Sequence, residues 1–171
     1  MMQNRTGRII RAEKHHLLDA MFIYKSCVRE MNERELFNWN TAYPSQHGVL
    51  SDIRDESLYI YIEKHTSIGV VCLNAQEPEE YRDLKWNYDG PSLFVHRMAV
   101  HPSWRNLGVA EKMMNFAYQF AKENHFNSIR LDAIIKNPQA IRLYEKCGYE
   151  KVNTIHLSYQ KDKFRCMELK I

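Results

Sequence analysis

Apolar positions recur early in the chain with the spacing of a helix face. Leu17, Met21, Tyr24, Val28 and Met31 alternate steps of four and three, which draws one apolar stripe along an α-helix. Lys14, Asp19, Lys25, Arg29 and Glu30 fall on its other face. Before it, Thr6–Ala12 reads as a short strand. Pro44 and Gly48 punctuate Phe37–Ser57, which predicts a short helix with loops. Leu58–His65 and Thr66–Asn74 are rich in β-branched and aromatic residues and follow almost without a gap, the pattern of a hairpin. Ala75–Ser92 is polar, acidic at its start and aromatic at its end, and reads as a surface loop with at most a helical turn. Leu93–Pro102 is the next strand, closed by its proline. Over Leu107–Glu123, Val109, Met113, Phe116 and Phe120 form a helical stripe, broadened by Ala110, Met114 and Ala117. Ser128–Ile135 reads as a strand. From Asn137, a proline sits just inside a helix start and Gly148 just past its end. Tyr149–Ser158 and Phe164–Ile171 are two closing strands, expected to be antiparallel.

Strands and helices in this order predict an α/β protein, a central mixed sheet flanked by helices. The central strand–helix–strand crossover makes its two strands parallel if they share the sheet. Without a repeat, a low-complexity tract or a Gly/Ser linker, residues 1–171 read as a single domain.

Composition narrows the class. The 171 residues are 44% hydrophobic and 12% aromatic, enough for a folded core without staples. The net charge of +3 comes without any run of five or more Lys/Arg, so no nucleic-acid partner is expected. Cys27, Cys72, Cys147 and Cys166 are scattered, with no CxxC spacing. They argue against a metal site and for reduced thiols in a cytoplasm. The first residues have no apolar core of signal-peptide length, and no apolar run approaches a membrane span, so no membrane association is expected.

The candidate chemistry lies in Arg105-Asn106-Leu107-Gly108-Val109-Ala110, between a strand and a helix. A helix start offers unpaired N–H groups and partial positive charge, a ready anion site. Gly108 permits close backbone approach, and Arg105 adds a charge suited to phosphate. The segment lacks the GxxxxGK[ST] pattern of nucleotide hydrolases and the three glycines of the dinucleotide fingerprint. Read alone, it is either a diphosphate cradle or an ordinary helix start.

Three blocks in order decide the reading. "RMAVHPSWRNLGVAEKMM", "IRLDAI" and "NPQAIRLYEKCGYEKV" together resemble the GNAT acyltransferase superfamily, which uses acetyl-coenzyme A. Arg105, Gly108 and Ala110 match its Q/R-x-x-G-x-G/A turn, and Ala99, Val100 and Pro102 match the phrase that precedes it. Asn137, Ala140, Leu143, Tyr144, Lys146, Gly148 and Tyr149 match its N-x-x-A-x-x-L-Y-x-K-x-G-F/Y block. The close match runs from Leu93 to Val152. Ala110 stands where many members have glycine, and Tyr149 where phenylalanine is usual.

The resemblance implies an N-acetyltransferase moving an acetyl group from acetyl-CoA to a primary amine by direct attack in a ternary complex. The backbone from Arg105 to Ala110, Asn106, Leu107 and Val109 included, is expected to hold the cofactor's diphosphate. Met98, Ala99 and Val100 are expected to bond the pantetheine arm through backbone groups, with side chains that serve the core. Asn137 is expected to contact the cofactor, to cap its helix, or both; Ala140 and Lys146 join the cofactor set through the same block. Tyr144 is the expected general acid for the departing thiolate. The base is left among His96, Asp132 and water. Period-two alternation places His96 on the face of Met98, and its ring titrates in a useful range.

The acceptor, a small-molecule amine or a peptide amino terminus, is expected among Trp39, Tyr43, Tyr59, Tyr61, Tyr81, Trp86 and Tyr88, with Glu77, Glu79, Glu80 and Asp83 nearby in sequence. The blander reading of these residues is core aromatics and a solvated acidic loop. A homodimer is a further expectation by analogy with the superfamily. The alternative function is an acyl-CoA-binding sensor of the same fold without transfer.

Overall fold

A computed structural model describes residues 7–157 and 160–171. Thr6 and Ser158, at the ends of two expected strands, lie outside the described residues. The elements are β1 (Arg8–Arg11), α1 (Leu17–Glu33), α2 (Gln46–Arg54), β2 (Leu58–Glu63), β3 (Thr66–Asn74), β4 (Ser92–Val100), α3 (Val109–Glu123), β5 (Ser128–Ile134), α4 (Pro138–Lys146), β6 (Glu150–His156) and β7 (Lys163–Lys170). The strands form one seven-stranded mixed sheet in the order β1-β2-β3-β4-β5-β7-β6. β4 and β5 pair in parallel through Ser92↔Ser128, Leu93↔Ile129 and Phe94↔Arg130. The closing strands β6 and β7 are antiparallel to each other, and β7 is antiparallel to β5.

The fold groups into two compact units, Met1–Cys72 with Arg97–Met113, and Leu73–His96 with Met114–Ile171. In the first, α1 buries Ala20, Met21, Ile23, Tyr24, Cys27, Val28 and Met31. Val49 and Ile53 of α2, Leu58 and Ile60 of β2, Val70 and Cys72 of β3, and Ala99 of β4 belong to the same core. The β2–β3 hairpin closes Glu63↔Thr66 with Lys64 and His65 between, at φ 46° and 68°. Both central residues of such a tight turn need positive φ, so the strand expected through His65 stops at Glu63.

In the second unit, Tyr81, Phe94 and Cys166 form a core with Leu84, Trp86 and Ile155 packed against it. α4 stops where Gly148 takes φ 90°, and the Tyr149 amide returns to the Tyr144 carbonyl at 3.0 Å. Among the described residues no helix is long and apolar enough to cross a membrane.

Candidate active site

The turn into α3 is built from local conformations. After β4 a single 3-10 turn spans Pro102–Trp104. Asn106 then takes φ 58° and Gly108 φ 75°, and the α-helical ladder begins with the Lys112 amide on the Gly108 carbonyl at 3.1 Å. The N–H groups of the first turn precede any intrahelical acceptor and carry the positive end of the helix dipole. A Cβ placed on Gly108 would meet nothing within 4 Å. A side chain there would extend into open space beside the start of α3. The loop therefore fits a diphosphate, held by backbone.

The Arg105 side chain has another engagement. Its Nη1 is ion-paired with Glu30 of α1, and its Nε donates to the Val100 carbonyl at 3.4 Å. Glu30 also receives Arg34 at 3.3 Å. The charge expected to meet phosphate is committed to a carboxylate, because α1 brings Glu30 to it across 75 positions of sequence. The Val100 carbonyl also accepts from the Cys27 thiol at 3.3 Å. Of the three β4 residues expected to bond an extended arm, Val100 thus has its carbonyl occupied, and its side chain, like that of Ala99, is buried.

β4 is not a regular strand. Arg97 sits at φ 49°, in the left-handed region that a residue with a Cβ avoids. Its carbonyl accepts from the Tyr24 hydroxyl at 2.9 Å, and its guanidinium reaches Asp52 at 2.6 Å and the Tyr43 hydroxyl at 3.5 Å. Period-two alternation requires unbroken extended backbone. The expectation that His96 and Met98 share a face therefore fails at the residue between them.

In the second unit, the partly buried His96 places Nε2 3.1 Å from Asn74 Oδ1. That same oxygen accepts the Gln76 amide at 3.0 Å, which identifies it as an acceptor. A proton on His96 Nε2 would satisfy that oxygen. Asn137 caps α4, its Oδ1 accepting from the Ala140 amide at 3.3 Å. Tyr144, on the buried side of α4, is 8% exposed. Burial pushes its phenol above the ordinary tyrosine range, with the Asp132 charge adding to the effect, so it stays a protonated donor at neutral pH. Asp132 of β5 accepts a short hydrogen bond from the Tyr81 hydroxyl. Burial raises its carboxyl, the Tyr81 bond opposes this, and the Glu80 charge adds to the rise. Lys146 is an exposed residue of the last turn of α4.

The aromatic set divides between the two units. In the first unit Trp39 packs edge-on against Tyr24 at 5.5 Å, and Tyr61 is buried. In the second unit Trp86 lies beneath the Arg130 guanidinium at 4.6 Å, and Tyr88 beneath Lys170 at 5.5 Å. These two rings are already occupied by the chain's own cations. Arg130 also binds the fully buried Glu168 at 2.9 Å and the Tyr88 carbonyl at 2.7 Å, and the other Glu168 oxygen accepts the Asn87 amide at 2.7 Å. The Ala75–Ser92 loop is thereby fastened to β5 and β7. Sequence reading missed Glu168, although Phe164, Cys166 and Glu168 share one face of an alternating strand. It also missed Asp52, which follows Val49 by three positions on the buried face of α2.

The chain belongs to the acetyltransferase (GNAT) family, whose sequence profile matches residues 23–149. It is 22% identical over 124 residues to the uncharacterized N-acetyltransferase YesJ of Bacillus subtilis, covering 70% of this chain and 68% of that protein. It spans about half the length of the other curated relatives it matches. A GNAT-family acetyltransferase structure from Streptococcus agalactiae superposes with a TM-score of 0.81 at 18% identity, covering 96% of this chain and 95% of that one. YncA from Salmonella typhimurium, solved with its cofactor acetyl-CoA, superposes with a TM-score of 0.67 at 13% identity over 96% of this chain and 93% of its own. The expected fold class and family are those observed.

Proposed function

We propose that the chain acts as one catalytic domain, an N-acetyltransferase that moves an acetyl group from acetyl-CoA to a primary amine by direct attack in a ternary complex. The observation that carries this reading is the turn at Gly108, with φ 75° and open space where a Cβ would stand. Acetyl-CoA, when bound, supplies the activated thioester. The amides from Asn106 to Ala110 hold its diphosphate, and Met98 and Ala99 offer backbone groups to its arm. Tyr144 gives a proton or hydrogen bond to the departing thiolate, a role supported by its place in the Asn137–Tyr149 block that resembles the superfamily's.

His96, Asp132 and a water relay compete to take the proton of the incoming amine. His96 is supported by its imidazole, held 3.1 Å from Asn74 Oδ1. Asp132 is supported by its raised carboxyl, which makes it a stronger base than a solvated aspartate. The acceptor is a small-molecule amine or a peptide amino terminus. A cytoplasmic location accords with cysteines that are thiols and not disulfides.

Titration calorimetry with coenzyme A tests the cradle, and no binding at millimolar ligand refutes it. A thiol-release assay over an amine panel separates transfer from mere sensing, since a sensor binds acetyl-CoA and releases no thiol. In that assay Tyr144→Phe is expected to lower kcat by about a hundredfold while leaving acetyl-CoA affinity unchanged, the usual scale for a lost general acid. Equal turnover removes Tyr144 from the mechanism. A pH–rate profile that loses its acidic limb in His96→Ala, and not in Asp132→Asn, selects the histidine.

A further inference from the structure

We propose that Asp52 is a positioning residue that acts through Arg97 to hold the β4 backbone in the shape that receives the pantetheine arm. This rests on the reading above that β4 binds acetyl-CoA. Arg97 interrupts β4 with a left-handed conformation, φ 49°. A residue with a Cβ does not stay there unless its surroundings hold it. Here two helices do so. From α1, the buried Tyr24 donates its hydroxyl to the Arg97 carbonyl at 2.9 Å. From α2, Asp52 grips the guanidinium at 2.6 Å, the two side chains being 13% and 20% exposed. Tyr43 adds a longer contact at 3.5 Å.

The pair is not explained by stability. Desolvating an arginine and an aspartate offsets most of their attraction, and the Arg97 Nε is buried without a partner among the described residues. Buried ion pairs are better attested as devices that select one geometry. The geometry selected here is that of Met98 and Ala99. On one side the Arg97 carbonyl is held by Tyr24, and on the other the Val100 carbonyl is held by Cys27 and Arg105. The segment between is pinned at both ends. An arm bearing amides meets a backbone already in place, and binding does not have to order it.

Calorimetry with two probes tests this. Acetyl-CoA carries the diphosphate and the arm, whereas ADP carries the diphosphate alone. Asp52→Asn, nearly isosteric, is expected to weaken acetyl-CoA by about tenfold, through lost preorganisation, and to leave ADP within about twofold. Arg97→Gly is expected to weaken it less than Arg97→Ala, because glycine adopts positive φ without a clamp. In the Arg97→Gly background, Asp52→Asn adds nothing if it works only through Arg97. The proposal is overturned if Asp52→Asn leaves acetyl-CoA binding intact, if it weakens both probes alike, or if its effect adds fully to that of Arg97→Gly. A parent protein that binds neither probe overturns the acetyl-CoA reading itself, a result distinct from these three.

Discussion

Helices α3 and α4 each follow a strand, and they begin in opposite ways. α4 starts with Asn137, whose side chain takes up the Ala140 amide at 3.3 Å, and with Pro138, which has no N–H to satisfy. α3 starts after Gly108, a residue with no side chain to cap with, turned to φ 75° with open space before it. One helix starts with a side-chain cap; the other starts at a glycine of positive φ. Both starts fall in motifs that resemblance assigns to cofactor binding. The geometry separates them: Asn137 spends its side-chain oxygen on the Ala140 amide, whereas Gly108 has no side chain to spend.

The largest expected effect breaks the open start. Gly108→Asp forces a Cβ into positive φ and sets a carboxylate at the proposed diphosphate site. Coenzyme A affinity should fall by about a hundredfold, the sum of backbone strain and charge repulsion. Calorimetry that finds less than a threefold loss would remove the α3 start from the site. Asn137→Ala is the counterpart at the capped start and should cost about 1 kcal/mol of stability in chemical denaturation, the usual value of a cap. An unchanged midpoint would mean the Asn137 bond contributes nothing and the residue is kept for another reason.

A comparable but opposite effect is expected just beyond the end of α4. Tyr149 is 3% exposed, and its hydroxyl has no hydrogen-bond partner among the described residues. Tyr149→Phe should therefore raise stability by about 1 kcal/mol, since an unsatisfied buried hydroxyl is relieved. A loss of stability would reveal a partner for that oxygen. The smallest effect is read against pH. Asp132, raised chiefly by burial, binds a proton in the folded chain at pH values where the unfolded chain has released it. Its stabilising contribution is present below the ordinary aspartate range and lost as pH rises through its folded value. Asp132→Asn should therefore be more stable than the parent at neutral pH, with the gap closing toward pH ~4. A gap that widens on acidification would reverse the assigned shift.

Much of the fold was legible along the chain. The α1 stripe, the β2–β3 hairpin, the parallel β4–α3–β5 passage, the α4 cap and the glycine past its end all appear where periodicity and turn chemistry put them. These features are encoded by residues a few positions apart, because helix period, strand alternation and positive-φ preference are properties of contiguous backbone. The candidate turn at Gly108 was legible for the same reason.

What only the tertiary structure decided depends on partners distant in sequence. Asp52 meets Arg97 across 45 positions and Tyr24 meets it across 73, and together they hold a left-handed residue inside a strand that local pattern read as regular. Glu30 claims the charge of Arg105 across 75 positions, and Glu168 is buried only because β7 delivers it to Arg130 and the Asn87 amide. No periodicity records such pairings. A charged side chain's role is set by what the fold places within a few ångströms of it, and that is settled when the elements pack.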